Sequence, residues 1–432
     1  MPTNPRARFG PVQRALAIAA GAILAVGVVP ASAAPAPAET GVTDKQIVLG
    51  STLPLTGIAS AGYKDLAPAA KAYFDYVNAN GGVNGRSIVL KYYDDEYNPA
   101  KTPIETRKLI NADKIFAMFQ ALGTPTHSTV VRDLNRRQIP DLFVNTGYSG
   151  FDNAATYPMT FPLFPSYVVE AKAMAYFIQN TPDLASKTRC LFYQAGEFGD
   201  DSRRGFADAG MTFATTTSYA SGQQLVSLAP QVAKLKAANC QLVVFFGVTS
   251  ATARLLGDSA RGAFAPTWLV TSVGADYDSL VAAGVPAALI NGVNSPSFLP
   301  PANDAADPYV AKFKAILSQY GKDVPFNNFT LSAMNAAYLA TQAMALTGPN
   351  LTRAGLVTTL NTKASQLKSA GLTPLVYSKS SHQGYTGYYL GRYDAAGNLV
   401  RQTDFVVTAT NGPGVAAKST YRRPAAPAKL LP

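Results

Sequence analysis

Two stretches of the chain repeat one rhythm. IFAMFQALGTPTHSTVVRDLNRRQIPDLFVNTG begins at Ile115 and LVVFFGVTSATARLLGDSARGAFAPTWLVTSVG begins at Leu242. Each reads as a strand, a glycine with hydroxyls, a helix carrying arginine, a proline, and a strand ending in Thr-Gly or Thr-Ser. The glycine-to-proline spacing is 17 residues in the first, Gly123 to Pro140, and 19 in the second, Gly247 to Pro266. Strand-like and helix-like stretches alternate from Ile47 onward, the pattern of parallel α/β folds. The same unit used twice predicts two α/β lobes, each a doubly wound parallel sheet.

Local signals support that reading. Ile47 to Thr52 and Ser87 to Tyr93 read as strands. Between them Leu66, Ala69, Ala70, Tyr73, Phe74 and Val77 fall on one face of an amphipathic helix ended by Gly81-Gly82. Thr102-Pro103-Ile104-Glu105 has the form of a capping box with proline at the first helical position. Ligands of open α/β sheets bind beyond the carboxyl ends of the strands. The candidate loops are therefore Leu53 to Tyr63, Gly123 to Ser128, Thr146 to Phe151, Gly196 to Asp201, Gly247 to Ala251 and Thr271 to Tyr277.

The ends of the chain read differently from its middle. Arg6, Arg8 and Arg14 form a basic region, Ala15 to Val29 an apolar one, and Ala31-Ser32-Ala33 a small-x-small cleavage site, so residues 1–33 are expected to be an export signal peptide. No cysteine follows the apolar region, and no lipid anchor is expected. Export places the remainder in the periplasm or on the outer face of the cell envelope. Loss of the three signal arginines lowers the formal charge from +11 to +8. Export and the scatter of the remaining lysines and arginines argue against nucleic acid as a partner; a weak attraction for anions remains. The two cysteines, Cys190 and Cys240, each stand at the N-terminal edge of an apolar run, CLFYQAG and CQLVVFFG. Neighbouring strands would bring them within bridging distance, and otherwise they are separately buried thiols.

Enzyme signatures are absent from the sequence. His127 and His382 sit in no metal spacing, and no G-x-S-x-G, H-E-x-x-H or P-loop occurs. Ser365 to Lys368 matches S-x-x-K but without companion motifs, on what reads as a surface helix. Asp94, Asp95 and Glu96 lack a spaced ligand set and read as a turn. His127, in a cleft loop without a nucleophile or orienting carboxylate beside it, reads as a contact or a cap. No metal or cofactor is expected. A sensor reporting to a receptor and a structural envelope protein are the other classes open to such a chain.

Five segments carry a resemblance: IVLGSTLPLTG, AYFDYVNANGGVNGRSIVLKYYDDEYNP, ALGTPT, IPDLFVNTG and GYYLGRYDAAGNL. In order along nearly the whole mature chain, they resemble the branched-chain amino-acid (Leu/Ile/Val) group of type I periplasmic binding proteins, the solute-binding components of ABC importers. The resemblance implies a monomer with two lobes. It assigns 44–164 with 299–371 to the first and 165–298 with 372–420 to the second, leaving 421–432 as a tail. It implies three crossovers, near Pro162 to Tyr167, near Asn294 to Leu299, and after Leu372. Its strand order makes the two cysteine-bearing strands neighbours, so a Cys190–Cys240 disulfide is expected. The implied partners are a small-molecule carboxylate and an ABC permease with its ATPase.

Carried over position by position, the resemblance puts the carboxylate clasp at Gly123, Thr124 and Thr126, with Thr126 capping the next helix, and at Gly147, Tyr148 and Ser149. Ala61 of the first loop joins them. The second lobe would close with Phe198 and Thr249. Where the amino-acid binders place an acid for the ligand ammonium, this chain has Ser272 and Val273; Glu197 and Asp276 are the nearby substitutes. A carboxylate with an apolar or aromatic body, set among Tyr148, Phe151, Phe198 and Tyr277, fits that departure.

Overall fold

The computed structural model describes residues 39–57, 59–221 and 226–432. The expected signal peptide lies outside the described residues. Five parallel strands build the first sheet: β1 Gln46–Leu53, β2 Ser87–Asp94, β3 Ala117–Phe119, β4 Asp141–Val144 and β5 Thr160–Pro162, in the order β2-β1-β3-β4-β5. β1 and β2 pair from Gln46↔Ser87 to Leu53↔Asp94. β1, β3, β4 and β5 are buried along nearly their whole length, whereas the edge strand β2 is partly exposed. The expected helix face exists: Leu66, Ala69, Ala70, Tyr73, Phe74 and Val77 are all buried in the helix Leu66–Ala79.

The second sheet holds β6 Arg189–Gln194, β7 Thr216–Tyr219, β8 Leu242–Phe246, β9 Thr267–Val270, β10 Asn294–Ser297, β11 Gly387–Tyr393, β12 Leu399–Arg401, β13 Val407–Thr408 and β14 Ala417–Lys418. Its order is β14-β13-β11-β10-β9-β8-β6-β7, with β12 beside β11. β7, β6, β8, β9 and β10 run parallel, and β11 to β14 add an antiparallel edge. The paired rhythms read from sequence are thus β3 to β4 in one sheet and β8 to β9 in the other.

The chain passes from the first sheet to the second after β5, into the Ser166-capped helix Tyr167–Asn180. It returns after β10, where the helices Pro308–Tyr320 and Asn328–Thr347 pack against Leu66–Ala79. It passes back to reach β11, where Leu372 N–H donates to the Phe298 carbonyl at 3.0 Å. A further pass follows β14. Arg423 pairs with Asp307 and donates to the Ala370 carbonyl at 2.9 Å, and the buried Leu430 accepts from the Tyr73 hydroxyl at 2.8 Å.

Several local expectations are corrected. Thr102 forms no capping box: its hydroxyl donates to Asp95 at 2.9 Å and the Asn98 carbonyl at 3.1 Å, because the buried Asp95 carboxylate needs donors. Ser365 to Lys368 lies at a short 3-10 turn, Ala364–Gln366, and not on a surface helix. The acidic run does form a turn. Asp94 accepts from Leu55 N–H at 2.9 Å, Asp95 from Tyr97 N–H at 3.0 Å, and Glu96 pairs with Lys101.

Cys190 and Cys240 form a disulfide with Cα atoms 5.8 Å apart, joining the neighbouring strand β6 to the start of β8. Their separation of 50 residues sets the loop it closes. Replacing both by serine is expected to cost up to about 4 kcal/mol by loop entropy. Urea unfolding checks this, and an unchanged midpoint would show that the bond adds nothing.

Candidate functional site

The carboxyl ends of both sheets face a shared cleft. Tyr63 and Tyr97 follow β1 and β2, Thr124 follows β3, and Asn145 follows β4. From the other side come Tyr167 of the crossover helix, Phe198 after β6, Val248 after β8 and Val273 after β9. The free volume left between them is only about 20 Å³, room for little more than one water. The lobes are closed on each other. The Tyr63 hydroxyl donates to the Val273 carbonyl, Ser128 donates to Glu197 at 2.8 Å, and Asn328 N–H donates to Asp276 at 3.2 Å.

Phenols and hydroxyls dominate the cleft. Thr124 and Thr146 share a hydrogen bond of 2.6 Å, and Thr146 lies 3.3 Å from the Tyr167 hydroxyl. Tyr219 donates to Gln194 at 3.0 Å and accepts from Val248 N–H at 3.3 Å. Thr249 is buried, with its hydroxyl unpartnered among the described residues. Burial holds these phenols in their neutral form. It pushes Tyr97 up to about 12 and raises Tyr63, Tyr167 and Tyr219 as well. Among the described residues lining the cavity none carries a charge. The Tyr167 and Phe198 rings stand 4.3 Å apart and supply the apolar wall.

Of the residues singled out from sequence, Gly123, Thr124, Phe198 and Val273 line this cavity together. Gly123 needs to be glycine: its φ is +99°, and a Cβ there would lie 2.5 Å from both Thr126 Oγ1 and the Tyr97 ring. Ala61 sits at a kink beside Gly62, whose φ is +89°. Thr126 does not cap a helix. Its hydroxyl donates to the Leu122 and Gly123 carbonyls inside the short turn Thr124–His127. Gly147, Tyr148 and Ser149 line a separate crevice with Asp152 and Gln383. Ser149 is engaged across the lobes, giving its N–H at 2.6 Å and its hydroxyl at 2.8 Å to Asp201.

His127 is corrected too, since it is neither a cleft contact nor a cap. Its ring is fully buried, 2.7 Å from Asp141 and edge-on to Phe151 at 5.2 Å. His382 stacks on Phe161 at 4.0 Å, and burial lowers its pKa. Glu197 is held by Ser128, and Asp276 caps the helix Tyr277–Ala282 through Ser279 N–H at 3.0 Å. Tyr277 stacks near Tyr393, 6.2 Å away, outside the residues that line the cavity. The tyrosines 97, 167 and 219, with Asn145 and Gln194, were not singled out from sequence. Tyr63 and Tyr97 stood in or near named segments, but a tyrosine there looks like any core aromatic.

A family model described as a periplasmic binding protein matches residues 46–398. The chain belongs to the periplasmic binding protein family, of type I. These are binding proteins that take small ligands outside the cytoplasm and work with ABC permeases. Solved structures repeat the fold. A substrate-binding periplasmic protein from Ralstonia solanacearum has a TM-score of 0.73 at 24% identity, covering 83% of this chain and 100% of its own. A fatty acid ABC transporter substrate-binding protein from Thermomonospora curvata gives 0.74 at 20%, covering 86% and 95%. A branched-chain amino acid ABC transporter protein from Thermus thermophilus with bound valine gives 0.73 at 18%, covering 86% and 98%. No curated protein matches the sequence.

A like-charge pair lies at the crevice of Ser149. Asp152 follows the Ser149 turn of the first lobe and Asp201 lies on the helix Glu197–Asp208 of the second. Burial pushes the Asp152 carboxyl up to about 7, with the Asp201 charge adding to it and Arg204 opposing. Asp201 is raised for the same first reason, against the donors from Ser149. Asn411 donates to Asp152, and Arg204 donates to Ser149 Oγ at 2.8 Å.

An unfolded aspartate titrates near 4, whereas Asp152 in the folded chain titrates at about 7. Between about pH 4 and pH 7 the folded state therefore holds more protons, and stability falls as pH rises. Thermal unfolding is expected at lower temperature at the upper end of that window. Asp152→Asn, which keeps an acceptor for Asn411, should remove part of the slope; an identical slope would assign it elsewhere.

Proposed function

We infer that this protein is the extracytoplasmic solute-binding component of an ABC importer. It takes a small carboxylate with an apolar or aromatic body, carries no catalysis, and acts as a monomer that hands its ligand to a permease. The observation that carries this reading is the cleft itself: neutral phenol and hydroxyl donors on one side, apolar side chains on the other, and no charge on the described residues lining it. Neutral donors suit an anion's oxygens. A buried ammonium without an anionic partner would cost several kcal/mol, and both candidate substitutes, Glu197 and Asp276, are already held by other partners.

In this reading Thr124, backed by Thr146 and flanked by Tyr97, Tyr167 and Asn145, takes the carboxylate. Phe198 and Val273 meet the body. Thr126 serves the fold, and Ser149 serves closure through Asp201. Residues 44–164 with 299–371 and 165–298 with 372–420 move as the two lobes about the crossings. The solved neighbours, described as binding valine or as serving fatty acid transport, bracket the choice between an amino acid and an acid without the amine.

Calorimetry with leucine, its des-amino analogue 4-methylpentanoate and benzoate tests the reading. The two acids are expected to bind more tightly than leucine, and a clear preference for leucine would overturn the claim that no ammonium is read. Thr124→Ala is expected to weaken acid binding by about 1.5–3 kcal/mol, the value of a hydrogen bond to a charged group. Unchanged affinity would remove Thr124 from the clasp.

A further inference from the structure

The closed cleft is too small for the body of any apolar acid, yet a second cavity of about 40 Å³ lies behind it. Val273 lines both. Phe329 lines the rear cavity and stands 5.2 Å, ring to ring, from Tyr63 of the front one. The side chains of Val273 and Phe329 therefore form the partition between the two spaces. Gly62 lets the partition close, because a Cβ there would lie 2.7 Å from the Phe329 ring.

The rear cavity is walled mainly by apolar side chains. Phe164 and Phe298 stand 4.9 Å apart, with Pro296, Leu299 and Leu399 around them. Apolar cavities stay dry and accept apolar guests. Among the described residues two lining hydroxyls lack a partner: that of Ser272, beside Val273, and that of Ser332 on the helix Asn328–Thr347, in a residue only 5% exposed. Phe164 belongs to the first crossing between the lobes, and Phe298 and Leu299, just after β10, to the second, so an occupant would touch both.

We propose that the rear cavity is a second compartment of the ligand site, which receives the distal end of an extended alkyl monocarboxylate, and that Val273 and Phe329 set the accepted chain length. The proposal rests on the reading of the cleft as a carboxylate site. The carboxylate lies among Thr124 and the phenols, the chain passes Val273, and its end fills the space between the hinge segments. A filled hinge cavity joins closure to chain length, since the same side chains pack against the ligand and against the crossings.

Calorimetry with butyrate, hexanoate and octanoate on the full protein tests it. Affinity is expected to rise about tenfold for each two methylenes that enter the apolar space. Ser332→Leu fills the rear cavity from the helix and removes its own unpartnered hydroxyl, so its melting temperature should match or exceed that of the native protein. The ratio of octanoate to butyrate affinity should fall about tenfold or more in this variant, for the same lost methylenes. Val273→Phe should lower the same ratio, and if it does not fold, Ser332→Leu decides alone. A flat series with firm butyrate binding, or an unchanged ratio in Ser332→Leu, overturns the rear compartment and leaves the carboxylate reading standing. Failure of every acid to bind overturns both.

Discussion

Glu170 stands fully buried in the first turn of the crossover helix and ties together two parts of the second lobe, the loop after β9 and the strand β11. Its carboxylate accepts from the Thr271 hydroxyl at 2.9 Å, from Ser272 N–H at 2.6 Å and from Tyr388 of β11 at 3.3 Å. The next residue along the β9 loop is Val273, whose carbonyl receives the Tyr63 hydroxyl from the first lobe and whose side chain divides the two cavities. Burial raises the Glu170 carboxyl to about 7 against the pull of these donors. Their number is what makes a buried carboxylate tolerable here, since an unpaired one would be expelled or neutralised. Without Glu170 the loop keeps only its backbone bonds, such as Thr271 N–H to the Phe245 carbonyl at 2.9 Å, and the contact of Tyr63 with the Val273 carbonyl.

The sequence made the frame legible because the frame depends on periodicity. Parallel strands buried on both faces must be apolar throughout, and a helix on a sheet must place its apolar residues at a 3.6 period. Both constraints are local, so β3, β8 and the face of Leu66–Ala79 could be read directly. The cysteine pair was only half legible: each cysteine marks a strand start, but the strand order that makes β6 and β8 neighbours came from the resemblance and not from periodicity.

Hydroxyl assignments were less legible, and the cause is physical. A threonine or serine near a helix start can donate to the backbone, to a carboxylate or to a ligand, and the choice belongs to whichever acceptor tertiary packing buries nearby. Thr102 went to Asp95 and Ser149 to Asp201, neither marked by its local pattern, while Thr126 bonded back to the Leu122 carbonyl four residues earlier. His127 looked like a cleft residue because its loop is one, yet its ring turns inward to Asp141 across a 14-residue separation. The phenols of Tyr97, Tyr167 and Tyr219 come from three elements distant in sequence, and no spacing could gather them.

The distribution of charge sets the contacts that close the lobes apart from those proposed to take the ligand. The carboxylates that contact across the lobes lie outside the cavity lining: Asp201 holds Ser149, Glu197 holds Ser128 and Asp276 holds Asn328. The interior carries neutral donors alone among its described lining residues. Only the Ser128–Glu197 contact is exposed, where such a contact contributes little; Asp201 and Asp276 are buried, where a hydrogen bond to a carboxylate is stronger. Under the proposed function, a carboxylate inside would meet donors shielded from water, where each hydrogen bond to its charge is stronger than in an exposed contact. In that reading the ligand adds its hydrogen bonds to buried contacts that already close the lobes, so release requires both sets to be broken.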